Sequence, residues 1–173
     1  MARYFAYGSN MLSSRLRARC ASARVVGAAF ADGYDVALDK IGRDGSGKAT
    51  LTPGGAGAHG VAFELDDADL PLLDVIEGVG QGYDRRVVPI RCDGDQSGAF
   101  TYIAPERFRD AGLPPFDWYL ALIVAGAREH GLPAEWIARL RAVAVVPDDM
   151  QDRPRRIEAE ALLADCPADW KSG

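Results

Sequence analysis

The apolar positions fall into short runs that switch between strand and helix periodicity. Arg3 to Tyr7 is an unbroken, aromatic-rich run and predicts a buried strand. Gly8 permits a sharp turn, and Ser9 or Asn10 then reads as the cap of a helix running to about Cys20. Arg24 to Leu38 carries Val25, Val26, Phe30, Tyr34, Val36 and Leu38, which predicts one or two strands broken near Asp32-Gly33. Residues 42–60 read as a pair of loops around a short strand at Ala49–Leu51, with a turn at Pro53-Gly54-Gly55 and His59 in the loop. Gly60 to Leu65 alternates and predicts a strand. A helix from about Asp67 to Glu77 follows, with Pro71 in its first turn and Gly78 as its stop.

Further strands are predicted at Val87–Cys92, where Pro89 marks an edge or a bulge, and at Ala99–Ala104, after a turn at residues 92–95. The last third is helical. A helix at Trp118–His130 has Asp117 as its cap, another opens at Pro133, and a third spans about Arg153 to Ala164 beyond a turn at Pro147–Met150. Residues from Asp165 onward are expected to be loose. Successive turns and strands followed by helices predict an α+β fold, a small, mainly antiparallel β-barrel with flanking helices, in one domain over residues 1–173.

Charge narrows the function. The net charge of −5 is mixed along the chain and offers neither a nucleic-acid groove nor a basic stripe for a membrane. No charged-then-apolar leader opens the chain, and the longest apolar run, Trp118 to Ala127, is too short to cross a bilayer, so a cytoplasmic protein is expected. Cys20, Cys92 and Cys166 are widely spaced and read as reduced thiols. With His59 and His130 as the only histidines, no metal-ligand spacing is present. Arg15 on the first helix reads as a surface charge or a salt-bridge partner.

Two places carry candidate chemistry. The strand-to-helix turn at Tyr7-Gly8-Ser9-Asn10 leaves backbone N–H groups facing outward, which suits an anion or a developing oxyanion. The turn lacks the glycines of a nucleotide loop and those of a nucleophile elbow around Ser9. The second place is Glu77. Leu70, Leu73 and Ile76 sweep one helical arc, and Glu77 falls inside it. A carboxylate on a burying face needs a partner or a task, since burial disfavours the charged form of a carboxyl group. Arg85 or Arg86 is a candidate partner, and the pattern alone leaves a structural ion pair and catalysis open.

Three stretches together resemble the γ-glutamylcyclotransferase family: Tyr4 to Met11 (YFAYGSNM), Leu73 to Val79 (LDVIEGV), and Pro114 to Tyr119 followed by Gly131-Leu132-Pro133. The resemblance runs over most of the chain. It implies a reaction in which the α-amine of a γ-glutamyl group attacks its own γ-carbonyl, forming 5-oxoproline and releasing an amino acid or amine. It implies Glu77 as the acid/base and substrate contacts from Tyr4, Phe5, Ala6, Tyr7, Gly8, Ser9, Asn10 and Tyr119. Asp74 is read as helix surface. The family often has a second aromatic residue beside the tyrosine matching Tyr83; here Asp84 stands there, and Tyr83 is not carried over as a contact. The resemblance implies no cofactor and no metal, a small γ-glutamyl substrate, and by analogy a homodimer to which Trp170 or the long apolar helix contributes. Rival readings are a pathway-specific γ-glutamyl-amine cyclotransferase, the glutathione-specific branch (which usually has leucine at the place of Asn10), a γ-glutamyl-binding module without turnover, and a serine hydrolase using Ser9.

Overall fold

A computed structural model describes residues 1–171. Its centre is a closed five-stranded barrel. Strand β1 (Ala2–Ala6) runs antiparallel to a later strand, Ala58–Leu65, with Tyr4 opposite Phe63 and Phe5 opposite Ala62. That strand also pairs with β2 (Arg24–Ala31). Two more strands, Asp84–Cys92 and Asp95–Ile103, form a nine-pair hairpin. The first of them meets β2 at Cys92 and Arg91, and the second closes the barrel through a parallel contact, Tyr4 beside Phe100. Between β2 and the barrel's Ala58–Leu65 strand, the chain makes a separate antiparallel pair, β3 (Tyr34–Ile41) and β4 (Gly47–Pro53). The remaining barrel strands are therefore β5 (Ala58–Leu65), β6 (Asp84–Cys92) and β7 (Asp95–Ile103). All pairings except β1–β7 are antiparallel, as the strand-and-turn pattern predicts.

The strands form where β-branched and aromatic residues alternate, and their side chains pack on both faces of the barrel wall, Phe5 on one and Val61, Phe63 and Leu65 on the other. Phe5, Val61, Phe63, Leu65 and Ile90 are all but fully buried. Each contributes roughly 1.5–3 kcal/mol from the surface it removes from water. Pro89 lies in the part of β6 that has no β2 partner, so it interrupts only one side of the ladder.

Six α-helices cover the barrel among the described residues: α1 (Ser13–Arg19), α2 (Leu70–Glu77), α3 (Asp117–Glu129), α4 (Ala134–Arg141), α5 (Pro154–Ala164) and the short α6 (Ala168–Lys171). No helix among them is long and apolar enough to cross a membrane. Helix α3 is buried nearly all round and lies against the turn after β1. Gly126 makes that approach possible: a Cβ there would sit 2.5 Å from the Leu12 nitrogen and 2.7 Å from the Met11 carbonyl carbon.

Several predicted details are corrected. The first helix is broken in two, a 3₁₀ turn at Ser9–Met11 and α1 from Ser13, with no side-chain cap from Ser9 or Asn10. Instead Glu129, at the end of α3, accepts a hydrogen bond from the Ser13 N–H at 2.8 Å and places a carboxylate at the start of α1. Helix α3 begins at Asp117 itself, whose carboxylate accepts the Trp118 N–H at 2.7 Å. The predicted short strand at Ala49–Leu51 extends over all of β4. His59 is on β5, packed between the rings of Phe30 and Trp136, and burial lowers its pKa. Arg15 is 4% exposed and ion-paired with Glu158 on α5 at 3.1 Å; burial pushes its pKa down to about 10. The tail expected to be loose forms α6, with Trp170 packed against the core.

The segment between α4 and α5 is organised by Asp148. Its carboxylate accepts both Nε and an Nη of Arg153, the indole N–H of Trp118 and the Met150 N–H. The paired hydrogen bonds from Arg153 come first among the causes that hold its carboxyl down at about 2. An unfolded aspartate titrates near ~3.9, so this network stabilises the fold above about pH 4 and loses its effect as the pH falls toward about 2.

Two outcomes follow from these contacts. Gly126→Ala should lower the urea midpoint by an amount equivalent to about 1–3 kcal/mol, the usual range for overpacking; an unchanged midpoint would show that α3 and the turn do not need their close approach. Asp148→Asn should melt below wild type at neutral pH, and the gap should shrink as the pH is lowered from about 5 toward about 3. A gap that stays constant over that interval would show that the ionised carboxylate is not what stabilises the segment.

Candidate active site

Three local structures meet at one end of the barrel. The β1 strand delivers the 3₁₀ turn, α1 runs away from it, and α2 ends beside it. Helix α2 stops where the sequence predicts, with Gly78 in the left-handed region (φ 72°) and its N–H returned to carbonyls of the last turn. This fixes Glu77 as the last residue of the helix. Its side chain is 16% exposed.

The Glu77 carboxylate is held through one oxygen. Oε1 accepts the Asn10 side-chain amide at 2.9 Å and Nη1 of Arg19 at 3.0 Å. The same Arg19 nitrogen donates to Asn10 Oδ1 at 2.8 Å, and the Asn10 amide also donates to the Tyr4 hydroxyl at 3.0 Å. No hydrogen bond to Oε2 is made among the described residues. The expected partners are elsewhere: Arg85 pairs with Asp74 and Arg86 with Asp84. Asp74 is more than helix surface, since it also accepts the Tyr102 hydroxyl at 2.8 Å.

A small cavity of about 40 Å³ adjoins Glu77, walled by the Tyr7–Asn10 turn, Ala49, and the rings of Tyr4, Tyr83, Tyr102 and Tyr119. Gly8 contributes space there: a Cβ would lie 3.0 Å from that of Ala49 and 3.6 Å from the Tyr119 hydroxyl. Ala49 of β4 is gripped by two of the rings. Its N–H donates to the Tyr119 hydroxyl at 3.0 Å, and its carbonyl accepts the Tyr83 hydroxyl at 2.6 Å. The Tyr7 hydroxyl donates to the Tyr102 carbonyl. Burial raises the pKa of all these tyrosines, that of Tyr119 to about 12, so each is a neutral phenol near pH 7. The 3₁₀ turn closes with Met11 N–H to Gly8 and Leu12 N–H to Ser9, which leaves the N–H groups of Ser9 and Asn10 without partners inside it.

The cavity opens into a wider mouth of about 400 Å³, and Ser9, Glu77, Tyr83 and Tyr119 line both. A cleft of about 460 Å³ between β3 and α4 is slightly larger, but its one carboxylate, Asp39, is already paired with Arg109. Among the described residues no group of His, Cys, Asp and Glu has the arrangement of a metal site. Neither histidine is hydrogen-bonded to Ser9: His130 Nε2 lies at Ser13 and the Met11 carbonyl, and His59 is between rings. The serine-hydrolase reading has no base.

Of the residues singled out from sequence, Tyr4, Tyr7, Gly8, Ser9, Asn10, Glu77 and Tyr119 come together around the cavity. Phe5 and Ala6 do not line it; both are fully buried in the barrel. Tyr102 and Ala49 are there unforeseen, Tyr83 lines the cavity although it was not carried over, and Arg19 lines the mouth. Arg19 had a sequence signal, since it stands four residues after Arg15 on a helix and shares its face.

Comparison with known proteins places the chain among relatives. A model of the AIG2-like family matches residues 58–140, a span holding Glu77 and Tyr119. The mouse γ-glutamylcyclotransferase is 30% identical over 91% of this chain and 89% of its own length. The bovine one is 32% identical over 81% and 77% respectively. A solved γ-glutamyl cyclotransferase structure, 26% identical, superposes with a TM-score of 0.81 over 92% of this chain and 98% of that one. Relatives this similar over most of both chains, with a barrel of the same shape, show that the chain belongs to the γ-glutamylcyclotransferase family.

Proposed function

We propose that the protein converts a γ-glutamyl amino acid or amine into 5-oxoproline and the free amino acid or amine. The observation that carries this reading is the half-buried Glu77 carboxylate, tethered through Oε1 at the junction of a tyrosine-walled cavity and an open mouth. The γ-carbonyl end of the glutamyl group reaches the inner cavity beside Glu77, and the rest of the substrate lies in the mouth.

The substrate's α-amine is mostly protonated in water, with a pKa near ~8. Glu77 Oε2 takes a proton from it, and the freed nitrogen attacks the γ-carbonyl carbon. A new C–N bond closes the five-membered ring, and the carbonyl electrons move onto oxygen. As they return, the bond to the leaving nitrogen breaks and Glu77 gives its proton to that nitrogen. The ring nitrogen still carries two hydrogens; Glu77 takes one of them and passes it to the released amine, which departs as an ammonium, so the protons balance and no co-substrate is consumed. The task of Arg19 and Asn10 is positional, because they hold Oε1 and so fix which oxygen faces the reacting nitrogens. The hydroxyls of Tyr4 and Tyr119, which accept but do not donate in the pairs above, and the N–H groups of the turn are the donors for the substrate carboxylate and the transient oxyanion, where one aimed donor is worth about 3 kcal/mol of barrier. Holding the chain curled, amine against carbonyl, removes ordering entropy from the chemical step.

Glu77→Gln keeps the shape and an acceptor oxygen but cannot carry the proton. It should bind γ-glutamyl-alanine while forming 5-oxoproline about 10²–10⁴-fold more slowly, read by mass spectrometry. Wild-type turnover in that variant would remove Glu77 from the role. Product absent from the wild type across γ-glutamyl dipeptides, amines and glutathione would favour the binding module.

A further inference from the structure

The mouth is basic although the chain as a whole is acidic. Seven lysine or arginine side chains line it against two acids, Asp44 and Glu77. Most of these cations are already engaged: Arg19 with Glu77, Lys48 with Asp44, Arg153 with Asp148, and Arg15 and Arg155 both with Glu158. Lys40 and Arg43 make no ion pair among the described residues.

Lys40 is the more informative of the two. It is only 8% exposed, a costly place for an ammonium without a carboxylate. Its Nζ lies 4.9 Å from the centre of the Tyr83 ring. Tyr83 lines both the inner cavity and the mouth, whereas Lys40 lines the mouth alone. The ammonium therefore stands on the mouth side of a ring that the glutamyl half touches from the other side. Gly82 keeps this place open, since a Cβ there would be 3.0 Å from both Cε and Nζ of Lys40. Burial, with help from Arg43, lowers the lysine's pKa, while Glu77 and Asp44 act in the opposite sense. An anion bound at this point would offset part of the cost of burying that ammonium.

Resting on the cyclotransferase reading, we propose that the mouth selects γ-glutamyl conjugates whose leaving amine carries more than one negative charge, and that Lys40, seconded by Arg43, binds the additional one. The substrate class is then an acidic leaving group, such as an amino acid with a carboxylate side chain, in preference to a neutral one of the same size. Sequence patterning could not show this, because the basic residues come from α1, β3, β4, α5 and the loops between them.

The test compares γ-glutamyl-glutamate with γ-glutamyl-glutamine, which differ by one charge and hardly in shape. Wild-type kcat/KM should favour the glutamate conjugate about tenfold or more, the scale of one charge-assisted hydrogen bond. Lys40→Gln should bring that ratio close to one, and Lys40→Arg should restore part of it. Calorimetric titration of Glu77→Gln protein with both compounds should show the same gap in Kd without turnover, and Lys40→Gln in that background should close it. Equal handling of the two compounds by unsubstituted protein, or a Lys40→Gln variant that weakens both alike, would overturn the proposal. Loss of 5-oxoproline from every substrate with the binding gap intact would instead sink the cyclotransferase reading and leave the acidic subsite standing. Failure of either compound to bind at all would overturn both.

Discussion

One guanidinium nitrogen ties the site together. Nη1 of Arg19 donates at once to Asn10 on the 3₁₀ turn and to Glu77 at the end of α2, at 2.8 and 3.0 Å. The Asn10 amide also donates to Glu77 directly, so the turn, α1 and α2 meet at one carboxylate oxygen. The arrangement is not an efficient source of stability. Both partners are largely buried, the desolvation of two charges offsets much of their attraction, and Arg19 Nε is buried without a hydrogen-bond partner. A well-packed apolar pair would hold the same elements at lower cost. An ion pair kept in such a place fixes an orientation, and the orientation it fixes is that of the Glu77 carboxylate.

The barrel supplies the rigid frame this needs. Tyr4 is in β1, paired with Phe63 across β5 and set beside Phe100 where the barrel closes, so its hydroxyl is placed by strands on both sides. Helix α3 approaches the turn after β1 through Gly126 and returns Glu129 to the start of α1. That carboxylate caps α1 at Ser13, whereas the turn that the sequence suggested as an anion site, Tyr7 to Asn10, lines the cavity, with the Ser9 and Asn10 N–H groups unpartnered inside the 3₁₀ turn.

Local rules are what the sequence made legible. The strand and the turn at its end, the stop of α2 at Gly78, and the placing of Glu77 on a burying face all follow from residues within one or two turns of each other. What failed to show were contacts between residues distant in sequence. Glu77 was paired in prospect with Arg85 or Arg86, its neighbours along the chain, but Arg19 reaches it across 58 positions. His59 read as a loop residue because glycines surround it, whereas tertiary packing against Phe30 and Trp136 draws it into β5. Nothing local marks Ala49 as part of the cavity wall. Its role comes from backbone groups, which every residue has, caught between tyrosines 34 and 70 positions away. Of the residues the family resemblance named, Tyr4, Tyr7 to Asn10 and Tyr119 line the cavity, while Phe5 and Ala6, on opposite faces of β1, are buried away from it.

The division between cavity and mouth also explains why a mildly acidic protein suits an anionic substrate. Net charge describes the field far away, and beyond a Debye length of about 8 Å it is largely screened. What a bound molecule meets is local. In the inner cavity that is a set of neutral phenols and backbone N–H groups around one carboxylate; in the mouth it is a surplus of cations left over after their ion pairs are counted. The two environments suit opposite tasks. Neutral donors can hold an α-carboxylate or an oxyanion without competing with the ammonium of the glutamyl group for Glu77. A cation at Lys40's depth in that inner cavity would repel the same ammonium and draw Glu77 away from it. Placed behind the ring of Tyr83, it can attract the leaving half while the reacting amine stays on the other side. In the proposed reaction the ring is both a wall of the cavity and the spacer between a buried lysine and the carboxylate that carries the proton.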